Sequence, residues 1–205
     1  MEYYTLRSNN NKNISYNEIS NGFLQEKKSK FISYIFTIQN DNMAKDCINR
    51  IKNDNKEARH IVYIYSYVEN NNVNIKFSDD GEPQGTGTRA IYDMLQKENI
   101  TNICIVIVRY FGGILLGAGP LSRAYLNSFK EAYLKCSKII IYNYIDYNIK
   151  TDYSNLNNIK YIISMYKNKE AIIDFIEYND EITINFKVID KFFKDFKEKI
   201  KQYIK

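Results

Sequence analysis

The stretch Asn102-Ile-Cys-Ile-Val-Ile-Val-Arg-Tyr-Phe-Gly-Gly-Ile-Leu-Leu-Gly-Ala-Gly-Pro-Leu-Ser-Arg123 decides the fold. Residues 102–108 form a largely β-branched apolar run, the pattern of a strand buried on both faces. Residues 111–119 are a glycine-rich loop, and Pro120 stands where proline favours the first turn of a helix. That helix places Leu121, Tyr125, Phe129 and Ala132 or Tyr133 on one face. A buried strand, a loop and an amphipathic helix in succession make a sheet with helices packed on it, an α+β or mixed α/β fold.

Working outward, residues 30–38 read as a strand and 41–52 as a helix that Asp41 opens by accepting amide hydrogen bonds. Residues 60–68 alternate as a strand, Glu69, Asn70, Asn71 and Asn72 form a hairpin turn, and 73–77 return. A glycine-rich segment, 78–87, then runs into a helix ending near Glu98, and 138–142 close the unit as a strand. From Leu121 to Lys205 there is no Gly or Pro, and all six arginines lie at or before Arg123. This shift divides the chain into residues 1–142 and 143–205. The second part reads as strand 144–150, helix 153–164, strand 171–177, strand 181–188 and a last helix capped by Asp190. The order β-α-β-β-α is most of a ferredoxin-like unit.

Composition narrows the class. Of 205 residues 44% are hydrophobic and 26% charged, ordinary for a globular chain. The longest apolar run, 103–108, is far short of a membrane span, and residues 1–21 are too polar for a signal peptide. Cys47, Cys104 and Cys136 are odd in number and widely spaced, which argues against a disulfide framework or cysteine zinc site and for the cytoplasm. The net charge of +5 is spread over a Lys-, Asn- and Ile-rich chain, so it speaks of solubility and weak steering rather than of a partner. No cofactor, resident metal or membrane partner is expected.

Chemistry concentrates in two glycine-rich loops, Ser78-Asp-Asp-Gly-Glu-Pro-Gln-Gly-Thr-Gly-Thr-Arg89 and Arg109–Arg123. Each places an arginine, Arg89 or Arg123, in the first turn of the helix that follows. A helix start already carries partial positive charge, so an arginine there calls for a nearby anion. Two arrangements supply one. Either an external oxyanion binds among Arg89, Arg109, Arg123 and the amides around Gly112, Gly113, Gly117 and Gly119, or Asp79, Asp80 and Glu82 pair with the arginines and tie the loops together. The same acids could hold a hard cation. His60, the one histidine, reads as a hydrogen-bonded residue at a strand end. Tyr63, Tyr65 and Tyr67 alternate on one strand, as core packing or as a base-stacking face. Lys194, Lys197, Lys201 and Lys205 share a polar helix face. None of these residues assembles into a catalytic set.

The segments Glu26-Lys-Lys-Ser-Lys-Phe-Ile32, Ala58-Arg-His60, Phe77-Ser-Asp-Asp-Gly-Glu-Pro-Gln-Gly-Thr86, Arg109-Tyr-Phe-Gly-Gly113, Leu116-Gly-Ala-Gly119 and Arg123-Ala-Tyr125 resemble the YigZ/IMPACT family. Thr88 and Ala90 stand where the family has glycine and proline, and Leu115 and Pro120 replace its usual lysine and second glycine. The resemblance implies a first domain of ribosomal-protein/elongation-factor type, a four-stranded sheet backed by helices, followed by a ferredoxin-like domain similar to one in elongation factor G. It implies a link to translation, since eukaryotic relatives regulate translation by competing for a protein partner. The expectation is a non-enzymatic cytoplasmic factor binding RNA, the ribosome or a translation-associated protein through the Arg89, Arg109 and Arg123 loops. The alternative is a metal-assisted enzyme acting on a phosphorylated or nucleotide substrate.

Overall fold

The computed structural model describes residues 3–9, 17–69, 72–167 and 170–205. The chain divides into two compact units, Met1–Ile141 and Tyr142–Lys205. The first runs β1 (Tyr3–Ser8), β2 (Glu18–Glu26), β3 (Ser29–Thr37), α1 (Asp41–Asp54), β4 (His60–Glu69) and β5 (Asn72–Ser78). It continues with α2 (Arg89–Lys97), β6 (Ile103–Tyr110), α3 (Ala118–Tyr133) and β7 (Cys136–Ile141). The second comprises β8 (Tyr144–Thr151), α4 (Leu156–Ser164), β9 (Ala171–Tyr178), β10 (Ile182–Ile189) and α5 (Asp190–Ile200). Strand pairs are antiparallel throughout, giving an α+β architecture. No helix among the described residues is long and apolar enough to cross a membrane.

In the first unit β6 lies at the centre of a five-stranded sheet ordered β2-β3-β6-β4-β5. Its side chains alternate between two cores. Ile103, Ile105 and Ile107 meet Ile91 and Leu95 of α2 and Leu121, Tyr125 and Phe129 of α3. Cys104, Val106 and Val108 meet Ala44, Cys47, Ile48 and Ile51 of α1. Helices on both faces explain why the strand shows no polar alternation. The four-stranded sheet implied by the resemblance is thus corrected to five strands, with β1 and β7 paired in a separate ribbon. Neither β1 nor β2 is legible as an apolar strand, because Glu18, Ser20 and Gly22 of β2 are buried without being apolar.

Their smallness is what α3 requires. A Cβ on Gly22 would stand 2.5 Å from Ser128 O and 2.6 Å from Ala132 N, so helix backbone rests directly on strand backbone. Ser20 Oγ donates to Ala132 O at 2.7 Å and Ser33 Oγ to Ser128 O at 2.5 Å, riveting the same contact.

Several local expectations shift. Asn40 rather than Asp41 caps α1, accepting from Met43 N at 3.0 Å. Asp41 instead receives Lys45 and Lys76, each at 2.7 Å, and the Tyr65 hydroxyl at 2.7 Å. Tyr65 and Tyr67 are core residues, with Tyr63 packed beside them, so the tyrosine row faces α1 rather than open solvent. α3 begins at Ala118, which makes Pro120 its third residue and moves Arg123 to the second turn. The turn at Asn70 and Asn71 lies outside the described residues.

The second unit is a three-stranded sheet ordered β8-β10-β9. One face carries Ile149, Ile182, Ile184, Phe186 and Val188 against Ile159 and Ile162 of α4 and Phe196 and Ile200 of α5. Asp190 is the first helical residue of α5 and makes no side-chain cap bond. Of the four lysines expected on one polar face, Lys205 is tied to Asp152 at 2.7 Å and Glu181 at 3.2 Å.

Two outcomes test these contacts. Gly22→Ala should cost about 1–3 kcal/mol in urea denaturation, because strand and helix backbones must part. Gly119→Ala, whose Cβ meets only Arg123 at 3.6 Å, should not lower stability. The hydrogen bonds from Lys45, Lys76 and Tyr65 hold the Asp41 carboxyl well below the usual carboxylate range. A depressed folded value means the contribution is present above that range and lost as pH falls through it. Stability below about pH 4 should therefore fall more steeply in the wild type than in Asp41→Asn, read as the urea midpoint against pH.

Candidate functional site

Strand parity gathers the site. Arg109 follows Ile103, Ile105 and Ile107 onto the face covered by α2 and α3. In the sheet register it lies between Phe31 of β3 and His60 of β4. Arg109 is only 5% exposed. A guanidinium so placed needs a counter-charge, since an unpaired buried ion is costly. Glu82, in the loop after β5, supplies it: Arg109 Nη1 donates to Glu82 Oε1 at 2.5 Å. The Tyr125 hydroxyl, brought by α3, donates to the same oxygen at 2.7 Å. The guanidinium carbon lies 5.5 Å from the ring centroids of both Phe31 and Phe111. Its Nε has no hydrogen-bond partner among the described residues. Burial, reinforced by the bond to Glu82, raises the Tyr125 phenol far above its ordinary range, so it stays a donor.

His60 closes the cluster. Its Nδ1 lies 2.8 Å from the Asp80 carbonyl, which can only accept, so Nδ1 carries the proton. Nε2 then faces Glu82 Oε2 at 3.9 Å.

The acids are committed to the chain itself. Asp79 accepts from Gly85 N at 2.6 Å, Gly87 N at 3.0 Å, Thr88 N at 2.9 Å and Thr88 Oγ1 at 3.0 Å. It is the anion at the start of α2, whose own first turn holds no acid. Asp80 Oδ2 accepts from Ile61 N at 2.7 Å. Of the arrangements open to the sequence, Glu82 makes the internal pairing with an arginine, Arg109, while Asp79 and Asp80 accept from backbone amides instead of pairing with arginines. Among the described residues no three His, Cys, Asp or Glu side chains group to hold an ion.

The arginines also separate. Arg109 is interior and neutralised by Glu82, which removes it from any contact surface. Arg89 is exposed and pairs with Asp93 at 3.1 Å, not with Asp79, Asp80 or Glu82. Arg123 is exposed and has no carboxylate partner among the described residues. Around it the second loop is open: Gly113, Gly117 and Gly119 are exposed, and Leu115 is 83% exposed. Gly117 caps α3 with no side-chain bond, and no acid follows in the first turn. Gly112 anchors the loop. Its N–H donates to Ser29 Oγ at 3.1 Å, and a Cβ there would overlap the backbone of Lys28. Arg59, also exposed, lies 5.4 Å from the Phe111 ring. Sequence reasoning passed over Tyr125, read as one more apolar stripe residue, and Phe31. The signal for Tyr125 was its hydroxyl, which a buried tyrosine must satisfy.

Stability should follow the charge logic. Glu82→Gln leaves Arg109 buried without a counter-ion and should cost about 3–5 kcal/mol. Tyr125→Phe removes one hydrogen bond and should cost about 1–2 kcal/mol. Urea denaturation of both checks the order, and a smaller loss for Glu82→Gln would contradict a neutralised interior arginine.

Comparison with known proteins follows the same geography. The Impact N-terminal domain matches residues 27–133, which contain Arg109, Glu82, His60 and Tyr125. IMPACT family member YvyE of Bacillus subtilis is 39% identical over 105 residues, 51% of this chain and 48% of that protein. The chain thus aligns with about half of YvyE. An IMPACT family member of Haemophilus influenzae is 30% identical over 176 residues, 84% of this chain and 85% of the relative. A crystal structure of a hypothetical protein superposes with a TM-score of 0.62 at 23% identity, covering 98% of this chain and 93% of the other, which is a likeness of fold. A domain match over more than half the chain, and a relative matched along most of both lengths, make this protein a member of the IMPACT family.

Proposed function

We propose that this chain is a non-enzymatic cytoplasmic factor linked to translation, which docks on the ribosome by laying the loop between β6 and α3 on RNA phosphates. The observation that carries this reading is the unneutralised cation Arg123 beside an α3 start that no acid caps. Arg59 adds a second exposed cation on the Phe111 side of the loop. The family resemblance supplies the link to translation, and the second unit, read as an elongation-factor-type domain, contributes exposed lysines such as Lys194 and Lys201. The metal-assisted alternative would require Asp79, Asp80 and Glu82 to share one cation. Their oxygens accept instead from the amides of Gly85, Gly87 and Thr88 ahead of α2, from Ile61 N and from Arg109, which argues against it.

A second reading has its own support. Ile114 and Leu115 form an exposed apolar tip on the same loop, which suits a translation-associated protein. Co-sedimentation of the full chain with ribosomes over a salt series separates the two. Phosphate contact predicts binding that falls with salt and is abolished by ribonuclease. Arg123→Ala should weaken it and reduce the log–log salt slope by about 1. Absence of binding at low salt, or an unchanged slope in Arg123→Ala, would overturn the RNA reading. Capture that survives ribonuclease and is lost in Leu115→Ser would favour the protein partner.

A further inference from the structure

The hairpin joining β2 to β3 is unusual in its two central residues. Glu26 pairs with Ser29, so Lys27 and Lys28 alone make the turn, and both have positive φ, 43° and 65°. That geometry favours Asn and Gly, because a Cβ crowds the backbone there. Both lysines are exposed, and neither meets a carboxylate among the described residues. The turn is held against the loop that follows β6. Gly112 packs on the Lys28 backbone, where a Cβ would overlap it, and its N–H donates to Ser29 Oγ at 3.1 Å. On the other side of β6, Arg59 N donates to Arg109 O at 3.2 Å, and the Arg59 guanidinium lies 5.4 Å from the Phe111 ring. Lys30 stands opposite Tyr110, whose hydroxyl donates to Asn55 at 2.8 Å and so brings the segment carrying Lys56 to the same strand end. Five exposed cations, Lys27, Lys28, Lys30, Lys56 and Arg59, thus gather at one end of the sheet against two acids, Glu26 and Glu57. No ion pair joins the two sets among the described residues.

We infer that this strand end grips the phosphate backbone of RNA across the ends of β3, β6 and β4, without reading bases. The inference rests on the RNA reading of the Arg123 loop and extends it to a second set of residues. The order β3-β6-β4 sets the Lys27–Lys28 turn and Arg59 about 10 Å apart, two strand spacings, with Gly113 between them. Gly113 is exposed, and a Cβ there would meet nothing within 4 Å, so a ligand can approach bare backbone. The aromatic rings at this end are already engaged: Phe111 by Arg59 and Arg109, Tyr110 by the α1 core. Contact is therefore ionic rather than by base stacking. Composition favours nucleic acid over an acidic protein, because lysine is depleted at protein–protein interfaces while protein–nucleic acid interfaces are strongly positive. The lysines of the turn answer no need of the fold, since the turn geometry itself prefers other residues.

That preference supplies a clean test on the full chain. Lys27→Asn combined with Lys28→Gly removes both charges while giving the turn the residues it favours, so the urea midpoint should not fall. Binding of fluorescent oligouridine, followed by anisotropy from about 50 to about 200 mM salt, should lose about 1.4 from its log–log slope, two contacts at about 0.7 each. Lys30→Gln and Arg59→Gln should each remove about 0.7. Lys97→Gln combined with Lys160→Gln, at exposed lysines elsewhere, should leave the slope unchanged, which separates this surface from the overall charge of the chain. Oligoadenosine should bind with the same slope and comparable affinity. Wild-type binding that weakens in Arg123→Ala yet not in the turn variant would overturn this inference alone. Failure of the wild type to bind both ribosomes and oligouridine would remove it together with the reading on which it rests. An equal loss of slope in the Lys97 and Lys160 variant, or a marked preference for one homopolymer, would overturn it as well. Polyglutamate displacing oligouridine as effectively as unlabelled RNA would assign the surface to an acidic protein instead.

Discussion

A charge on a buried central strand must be answered from somewhere, and Glu82 is the residue that answers Arg109. Glu82 reaches it only if the loop after β5 folds back across the strand ends. That return is held by a turn in which Glu82 N donates to Asp79 O at 3.0 Å, with Asp80 and Gly81 both at positive φ. Asp79, fixed by the turn, gathers the amides of Gly85 and Thr88 that lead into α2. Tyr125 makes α3 part of the same network through Glu82 Oε1. Buried ion pairs cost nearly as much to desolvate as they return, so what this one secures is position. Segments far apart in sequence thereby become one structural corner: β6, the loop after β5, α3, and through His60 the start of β4.

Much of this was legible because apolar pattern and glycine punctuation coincide. The run Ile103–Val108 announces a doubly buried strand, and helices do cover both its faces. The amphipathic stripe of α3 is equally plain, although its start lies two residues before Pro120. β2 was not legible, for a physical reason. Its inward residues include Ser20 and Gly22, chosen for how closely α3 approaches rather than for apolarity, and Glu18 is buried too. β1 pairs with β7 across more than a hundred residues, and Leu6 is its one buried side chain, so no local periodicity marks it. At the site, the residues that converge were visible as motifs, but their division of labour was not. Charge alone does not say that Asp79 caps a helix, Asp80 binds an amide and Glu82 neutralises Arg109. Those roles depend on reach across the fold.

The two glycine-rich loops make the same point in opposite directions. Both lead into a helix, and neither helix has an acid in its first turn. At α2 the missing anion is imported from nine residues upstream as Asp79, and Arg89 is left to a neighbouring turn of its own helix. At α3 no residue among those described plays that part. Gly112 is jammed against the β2–β3 turn and Leu116 is buried, so the loop is fixed at both ends. Between them lie exposed glycines and an apolar tip, with Arg123 one helical turn behind. Among the described residues no carboxylate answers Arg123 at that end, whereas the interior guanidinium of Arg109 is already paired with Glu82. The two otherwise similar loops thus differ in that Asp79 and Glu82 tie the first to the fold, while the second ends in amides that no described acid meets.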